Sequence, residues 1–254
     1  MRGKPFVGLV PGIREAVFDA WGMQRYEAWV KTCTTCHSET FARVSSVLLG
    51  EEIPHALPTS LVVATDTFGF ADPAVAKALH PVVMRLVALI GHSREDLMAP
   101  QGLSVWARAQ RTLQPVEAWN TFKDWLDERN PRFAFSVARQ LLSGSVIPVA
   151  DQSWAALMRQ EARGRMAHLL PEGTILCLPT TPFPAPPVKQ RLSMLDPVRD
   201  RITCLCAQGG LAGHPQVSLP GATVDGLPVG LSIIGPRGSD ASLVAVARAL
   251  EGSA

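Results

Sequence analysis

The stretch GHPQVSLPGATVDGLPVGLSIIGPRGSD, residues 213–240, decides how the end of this chain folds. The runs at 216–219 and 227–235 are short and apolar, and residues 224–226 (VDG) between them favour a tight turn. This arrangement predicts an antiparallel hairpin. Pro220-Gly221 is expected to close its first strand, because proline removes a backbone donor from the ladder.

Upstream of the hairpin, strand and helix patterns alternate along the chain. Residues 60–64 (SLVVA) and 175–178 (ILCL) are apolar runs of strand length. Pro115 predicts a break in one helix, and Gly209-Gly210 predict the end of another. The helices are expected over residues 13–33, 40–49, 73–91, 103–128, 131–142, 153–170, 201–207 and 242–251. Alternating helices and strands with both sheet faces covered predict an α/β fold.

Composition indicates a folded chain and excludes several classes of function. Of 254 residues, 47% are apolar and 18% are charged, which is typical of a chain with a buried core. The net charge is +2 without a basic run, so no nucleic acid partner is expected. No apolar run approaches the ~20 residues of a membrane span, so no membrane partner is expected either. Five scattered cysteines disfavour a secreted disulfide framework and favour a cytoplasmic protein.

Four short motifs follow one another in the last third of the chain. They lie at 179–182 (PTTP), 213–215 (GHP), 226–231 (GLPVGL) and 235–240 (GPRGSD). In this order and at these separations they resemble the C-terminal portion of the amidase signature family, hydrolases that cleave carboxamides. The segments VATDTFGFADPAVAKAL and LQPVEAWNTFKDWLDERNPRFAFSVA are similar to its indole-acetamide-hydrolase-like branch.

The resemblance implies a division of the chain and a fold. It covers roughly residues 40–251, so residues 40–254 are expected to form a partial amidase-signature domain, and residues 1–39 stay unassigned. The implied fold is the C-terminal part of an α/β/α layered structure, in which a mixed sheet is flanked by helices. By the same comparison, Thr180, Thr181, Gln208 and Gly210 lie on loops that face a small carboxamide substrate.

The chemistry of the family is not found in this sequence. The resemblance implies a serine nucleophile activated through a second serine and a lysine, within a Gly/Ser-rich run. None of the five lysines precedes such a run. The nearest imitation, residues 142–145 (LSGS), is interpreted as a loop that caps a helix. We therefore predict no catalytic residues, no cofactor and no metal, and a chain that is inactive alone.

Three hypotheses about function stay open. The first is an amidase that is complete only with a separate N-terminal half. The second is a non-catalytic pseudoenzyme, or an interaction module, on the same scaffold. The third uses Cys33, Cys36 and His37, a C-x-x-C-H pattern that is typical of covalent haem attachment. A zinc site on these three residues lacks a fourth ligand at suitable spacing.

The missing half also has a consequence for folding. Strands at 61–64 and 175–178 are expected to keep unpaired edges, and exposed edges invite association. We predict a chain that is marginally stable or forms homo-oligomers when made alone.

Overall fold

A computed structural model of the chain describes residues 38–187 and 192–252. The helices in this part of the chain are α1 (Ser38–Leu49), α2 (Thr65–Phe70), α3 (Pro73–Ile90), α4 (Leu103–Arg129), α5 (Phe135–Ser143), α6 (Val149–Leu169), α7 (Leu192–Ala212) and α8 (Asp240–Gly252). A 3₁₀ turn at Gly144–Val146 joins α5 to α6. The strands are β1 (Ser60–Ala64), β2 (Ser93–Asp96), β3 (Thr174–Pro179), β4 (Gln216–Val224) and β5 (Leu227–Ile234). The predicted helix at 13–33 lies outside the described residues.

The five strands form one mixed sheet in the order β2-β1-β3-β5-β4. Strand β1 runs parallel to β2 and β3, whereas β5 runs antiparallel to β3 and β4. The predicted hairpin is confirmed as β4–β5. Its turn contains Asp225 at φ 51° and Gly226 at φ 78°, left-handed conformations that tight hairpin turns require and that Asp and Gly tolerate best.

Strand β3 is buried over its whole length and divides the core into two layers. Ile175 and Cys177 pack with side chains of α1, α3 and α8 on one face of the sheet. Leu176 and Leu178 pack with side chains of α4, α6 and α7 on the other face. This division follows from the two-residue period of a strand. The predicted α/β class, with a mixed sheet flanked by helices, is confirmed.

Pro115 and Gly209-Gly210, which were predicted to interrupt or end helices, lie inside continuous helices. Pro115 does not break its helix: α4 continues through it to Arg129. The backbone oxygen of Pro115 instead packs so closely against Gly144 that an added Cβ there would overlap it. The LSGS run is therefore a close-packed junction against α4. Gly209-Gly210 do not end a helix at residue 207 either, since α7 continues to Ala212.

The sheet edges also differ from the prediction. The strands at 61–64 and 175–178 are interior, because β1 pairs with β2 and β3, and β3 pairs with β1 and β5. The edges are β2, a polar strand (SRED) that no apolar pattern reveals, and β4. Pro220-Gly221 does not close β4: the strand bulges there and continues to Val224.

Helix α3 is more apolar than the other long helices of the described chain. It spans 18 residues, and its length and composition alone would suit a membrane-crossing helix. Within the fold, however, Val75, Leu79 and Leu86 are fully buried in the core between the helices and the sheet. The same apolar side chains therefore hold α3 against the sheet.

Candidate functional site

A group of three hydroxyls lies where β3 ends. Thr180 follows the last residue of β3, and its backbone N–H donates to the Gly230 carbonyl at 2.8 Å. Its Oγ1 lies 2.8 Å from Ser218 Oγ and 2.9 Å from Ser232 Oγ. Ser218 and Ser232 are register partners on β4 and β5. We call Thr180, Ser218 and Ser232 the hydroxyl cluster.

The neighbouring residues hold the hydroxyl cluster in place. Gln216 Nε2 donates to Ser232 Oγ at 3.0 Å. Gly230 leaves the space that the cluster needs, because a Cβ there would lie 2.8 Å from Thr180 Oγ1 and 3.0 Å from Ser218 Oγ. Residues of the same parity on these strands, Leu178 and Ile234, face α4, α6 and α7. The cluster therefore lies on the α7 side of the sheet.

The hydroxyl cluster can bind a polar group, but no described residue serves it as an activating base. Each hydroxyl has one hydrogen to donate and two lone pairs. The two contacts inside the cluster use two of the three hydrogens, so one donor stays available to a ligand. Among the described residues, neither Lys77 nor Lys123 hydrogen-bonds to the cluster, and a hydroxyl without a base is a weak nucleophile.

The segment after Thr180 is fixed by contacts of its own. Thr181 Oγ1 donates to the Phe183 carbonyl at 2.9 Å, and the Pro182 carbonyl accepts from the Asp72 N–H at 2.8 Å. Arg201 of α7 forms an ion pair with Asp72 at 2.8 Å, and its guanidinium lies 5.1 Å from the Phe183 ring. The side chain of Thr181 is thus used within its own turn.

Gln208 and Gly210 lie within α7 and not on loops as predicted, because the helix continues to Ala212, and their surroundings differ. Gln208 is 1% exposed, and its side-chain amide donates to the Leu205 carbonyl of the same helix. Gly210 is exposed and lines a cavity between α4, α6 and α7. The assignment of Thr180, Thr181, Gln208 and Gly210 to substrate binding stays a prediction.

This interhelical cavity has a volume of about 310 Å³. Cys206 lines this cavity and also contacts the residue at the centre of the hydroxyl cluster, because its thiol donates to the Thr180 carbonyl at 3.4 Å. The residue keeps an exposed surface, yet burial of the sulfur raises the pKa of the thiol to about 11. Cys206 therefore stays protonated near neutral pH. The lining residues are Gln110, Gln114, Glu117, Arg159, Ile202, Thr203, Cys206, Ala207 and Gly210.

A larger cavity, of about 750 Å³, lies along α1 and includes Arg248 of α8. These helices cover the sheet face opposite to the hydroxyl cluster, so this cavity is a separate feature. In the described part of the chain, no group of three or more His, Cys, Asp or Glu side chains is arranged to hold a metal ion. The C-x-x-C-H residues Cys33, Cys36 and His37 lie outside it.

Thr180 is among the site residues predicted from the sequence, whereas its partners in the hydroxyl cluster, Ser218 and Ser232, are not. Ser218 lies between the buried apolar residues Val217 and Leu219, and Ser232 is fully buried within an apolar strand. A serine at such a position, on the same face as a threonine of a neighbouring strand, is the signal that could have indicated the cluster. The strand order that brings the three together cannot be derived from the hairpin pattern alone.

Comparison with known proteins identifies relatives along most of the described chain. A family model described as Amidase matches residues 67–244. A second model, described as Seven times multi-haem cytochrome CxxCH, matches residues 5–55, which include Cys33, Cys36 and His37.

Individual relatives match over part of their length. Amidase 1 of Oryza sativa subsp. japonica is 30% identical over 162 residues, which cover 62% of this chain and 37% of the relative. Amidase 1 of Arabidopsis thaliana is 24% identical over 209 residues, which cover 78% of this chain and 49% of the relative. A solved structure described as a crystal structure of amidase has a TM-score of 0.70 and 27% identity, covering 86% of this chain and 51% of that one. The chain thus spans about half, or less, of the length of these relatives.

Proposed function

Since this chain belongs to the amidase family, we propose that it forms the substrate-facing half of an amide hydrolase. The observation that carries the proposal is the hydroxyl cluster at the end of β3, next to Cys206, which contacts the Thr180 carbonyl and also lines the interhelical cavity. The substrate is a small carboxamide. Its polar amide group accepts or donates at the cluster, and the interhelical cavity receives the rest of the molecule.

The nucleophile comes from the complementary half of the fold, whether that half belongs to the same polypeptide or to another. Amide hydrolysis needs a hydroxyl whose proton is taken by a base, and donors that hold the oxyanion. The described residues provide hydroxyls and a cavity wall without a base. We therefore expect the 254-residue chain to bind the substrate but not to cleave it.

Strand β4 offers a place for the complementary half. It is an edge strand of nine residues, and its outer side is not paired with another described strand. Unpaired N–H and C=O groups at an edge accept a further strand. A strand of the complementary half, or of a second copy of this chain, would complete the sheet there.

Complementation tests the proposal. The chain is mixed with the remaining part of a relative such as Amidase 1 of rice, and ammonia release from indole-acetamide is measured. Each half alone is expected to be inactive and the complex active. The control complex carries alanine in place of the nucleophilic serine of the added half. Hydrolysis by the isolated chain would refute the proposed division. An assembled but inactive complex would favour a pseudoenzyme or interaction module.

A pair of matched variants tests the role of the hydroxyl cluster. Thr180→Val removes the central hydroxyl of the cluster at nearly constant volume, while Thr223→Val makes the same change at an exposed position of β4. We expect the first variant to lower kcat/KM of the active complex by about tenfold, the value of one hydrogen bond of about 1.4 kcal/mol. The second should leave it unchanged. Equal effects of the two variants on kcat/KM would show that the hydroxyl cluster is not part of the substrate site.

The family match at residues 5–55 favours a second candidate function, covalent haem attachment. Cys33 and Cys36 would hold the haem through thioether bonds to its vinyl groups, and His37 would bind its iron, which would supply redox chemistry. Expression with a haem-attachment apparatus, followed by a denaturing gel stained for haem and an absorbance scan for a Soret band, tests it. The Cys33→Ala/Cys36→Ala variant should lose both signals. Their absence from the unaltered chain would exclude the haem function.

A further inference from the structure

Helix α6 places two arginines on one face. Arg159 and Arg163 are four residues apart, so their side chains are neighbours on the helix surface. Arg159 has a partner: its Nη2 lies 2.6 Å from Glu117 Oε1 of α4, and both side chains are largely buried. Glu117 therefore neutralises Arg159.

Arg163 has no such partner among the described residues. Its Nε is buried and makes no hydrogen bond, and the guanidinium forms no ion pair within residues 38–187 and 192–252. A guanidinium carries five N–H donors and no acceptor. Arg163 is half-buried, and because buried donors are almost always satisfied, its buried Nε–H is a donor that needs a partner.

A third guanidinium lies at the C-terminal end of α7. Arg237, in the turn before α8, donates to the Ala212 carbonyl at the end of α7 at 2.6 Å. Burial lowers the pKa of Arg163 below its ordinary value, and the positive charges of Arg159 and Arg237 lower it further, whereas Glu117 raises it. Arg163 thus lies in the positive field of Arg159 and Arg237, and the one carboxylate that acts on it, Glu117, is already engaged by Arg159.

We propose that Arg159, Arg163 and Arg237, which we call the arginine cluster, form a binding site for an anionic oxygen group, a carboxylate or a phosphate, held chiefly by Arg163. A planar guanidinium binds both groups through two parallel hydrogen bonds. Arg159 also lines the interhelical cavity, so a ligand on the cluster has open space on that side. This site goes beyond amide hydrolysis, and its binding can be measured without any catalytic activity.

Isothermal titration calorimetry of the purified chain with inorganic phosphate tests the site. We expect saturable binding of one phosphate per chain. Arg163→Gln should weaken it by about tenfold, because it removes charge-assisted hydrogen bonds. Arg163→Lys, which keeps the charge without the planar fork, should weaken it less. Arg139→Gln is the control, since it makes the same change in net charge at an exposed arginine paired with Asp196.

Thermal unfolding provides a second measurement. Phosphate that binds the folded chain raises its Tm, and at a given phosphate concentration this rise should be smaller in Arg163→Gln than in the unaltered chain and in Arg139→Gln. Without phosphate, Arg163→Gln should melt no earlier than the unaltered chain, because it relieves repulsion and desolvation. If Arg163 had only a structural role, its replacement by glutamine would instead lower the Tm.

A separate experiment distinguishes the two possible sources of the anionic group, a side chain of the complementary half and a dissolved small molecule. Binding of the complementary half is measured with and without saturating phosphate. If phosphate weakens binding of the complementary half, an acidic side chain of that half is the natural occupant of the site. If phosphate has no effect on that binding, the natural occupant is a dissolved small molecule. Malonate serves as the carboxylate probe in the same titration. The proposal is overturned if neither phosphate nor malonate binds saturably, or if Arg163→Gln and Arg139→Gln weaken binding equally.

Discussion

Replacing Gly230 by alanine tests whether the hydroxyl cluster depends on the space beside it. The added Cβ would lie 2.8 Å from Thr180 Oγ1, 3.0 Å from Ser218 Oγ and 3.1 Å from the Leu219 carbonyl. Ordinary contacts of a Cβ begin at 3.4 Å, so all three atoms are too close. The Leu219 oxygen belongs to the backbone of β4 and cannot rotate away.

The cost follows from what has to move. Thr180 can leave its position only by giving up its hydrogen bonds to Ser218 and Ser232, and each such bond contributes about 0.5–1.5 kcal/mol. Together with the strain of an overpacked site, we expect Gly230→Ala to lower the free energy of unfolding by about 1–3 kcal/mol. Urea denaturation, read from the shift of the midpoint at constant slope, measures this change.

Two comparisons make the result specific. Gly69→Ala is the control, because no atom lies within 4 Å of the new Cβ and its φ is unstrained, so it should be neutral or slightly stabilising. In Gly230→Ala/Thr180→Ala the nearest atom is removed, so the double variant should lose less than the sum of the single losses, by about 1 kcal/mol. Full stability of Gly230→Ala, or strict additivity in the double variant, would refute this reasoning.

Three further predictions concern stability and assembly. Asp66→Ala should cost about 1–3 kcal/mol in urea denaturation and Asp66→Asn less, because the carboxylate accepts the N–H groups of Met98 and Ala99 at 2.9 and 2.8 Å; equal costs would contradict this. Burial raises the pKa of Cys177 from 9.0 to about 12, so this thiol stabilises the fold fully below about pH 9 and less as the pH rises towards 12. In Cys177→Ala the urea midpoint should fall less between pH 9 and pH 12 than in the unaltered chain. An equal fall in both would contradict this prediction. The free edge of β4 should cause concentration-dependent association in light scattering; a monomer mass at all concentrations would contradict it.

The local elements were predictable where sequence pattern and burial agree. The apolar run SLVVA is β1, the β4–β5 hairpin forms around the expected turn, and the helix expected at 242–251 is α8. Each of these signals is contained within a few residues. The motifs also identified the family correctly, because they preserve both order and spacing.

The failures arise where tertiary packing overrides a local preference. Pro115 stays inside α4 because the helix is held by α5–α7 around it, and its backbone oxygen packs against Gly144. Strand β2 is polar and owes its place to backbone pairing with β1. The hydroxyl cluster combines residues far apart in sequence, such as Thr180 and Ser218, which are 38 positions apart, so only the sheet order reveals it.

The chemical neutrality of the hydroxyl cluster has a consequence for enzymology. Threonine and serine hydroxyls do not ionise in water near physiological pH, so the contacts of Thr180, Ser218 and Ser232 should be the same in weak acid and in weak base. A bell-shaped pH–rate curve of a reconstituted hydrolase would then report titratable groups outside the hydroxyl cluster, which the proposed function places on the complementary half. The kinetic profile would thereby locate the proton-transfer machinery without a single substitution in this chain.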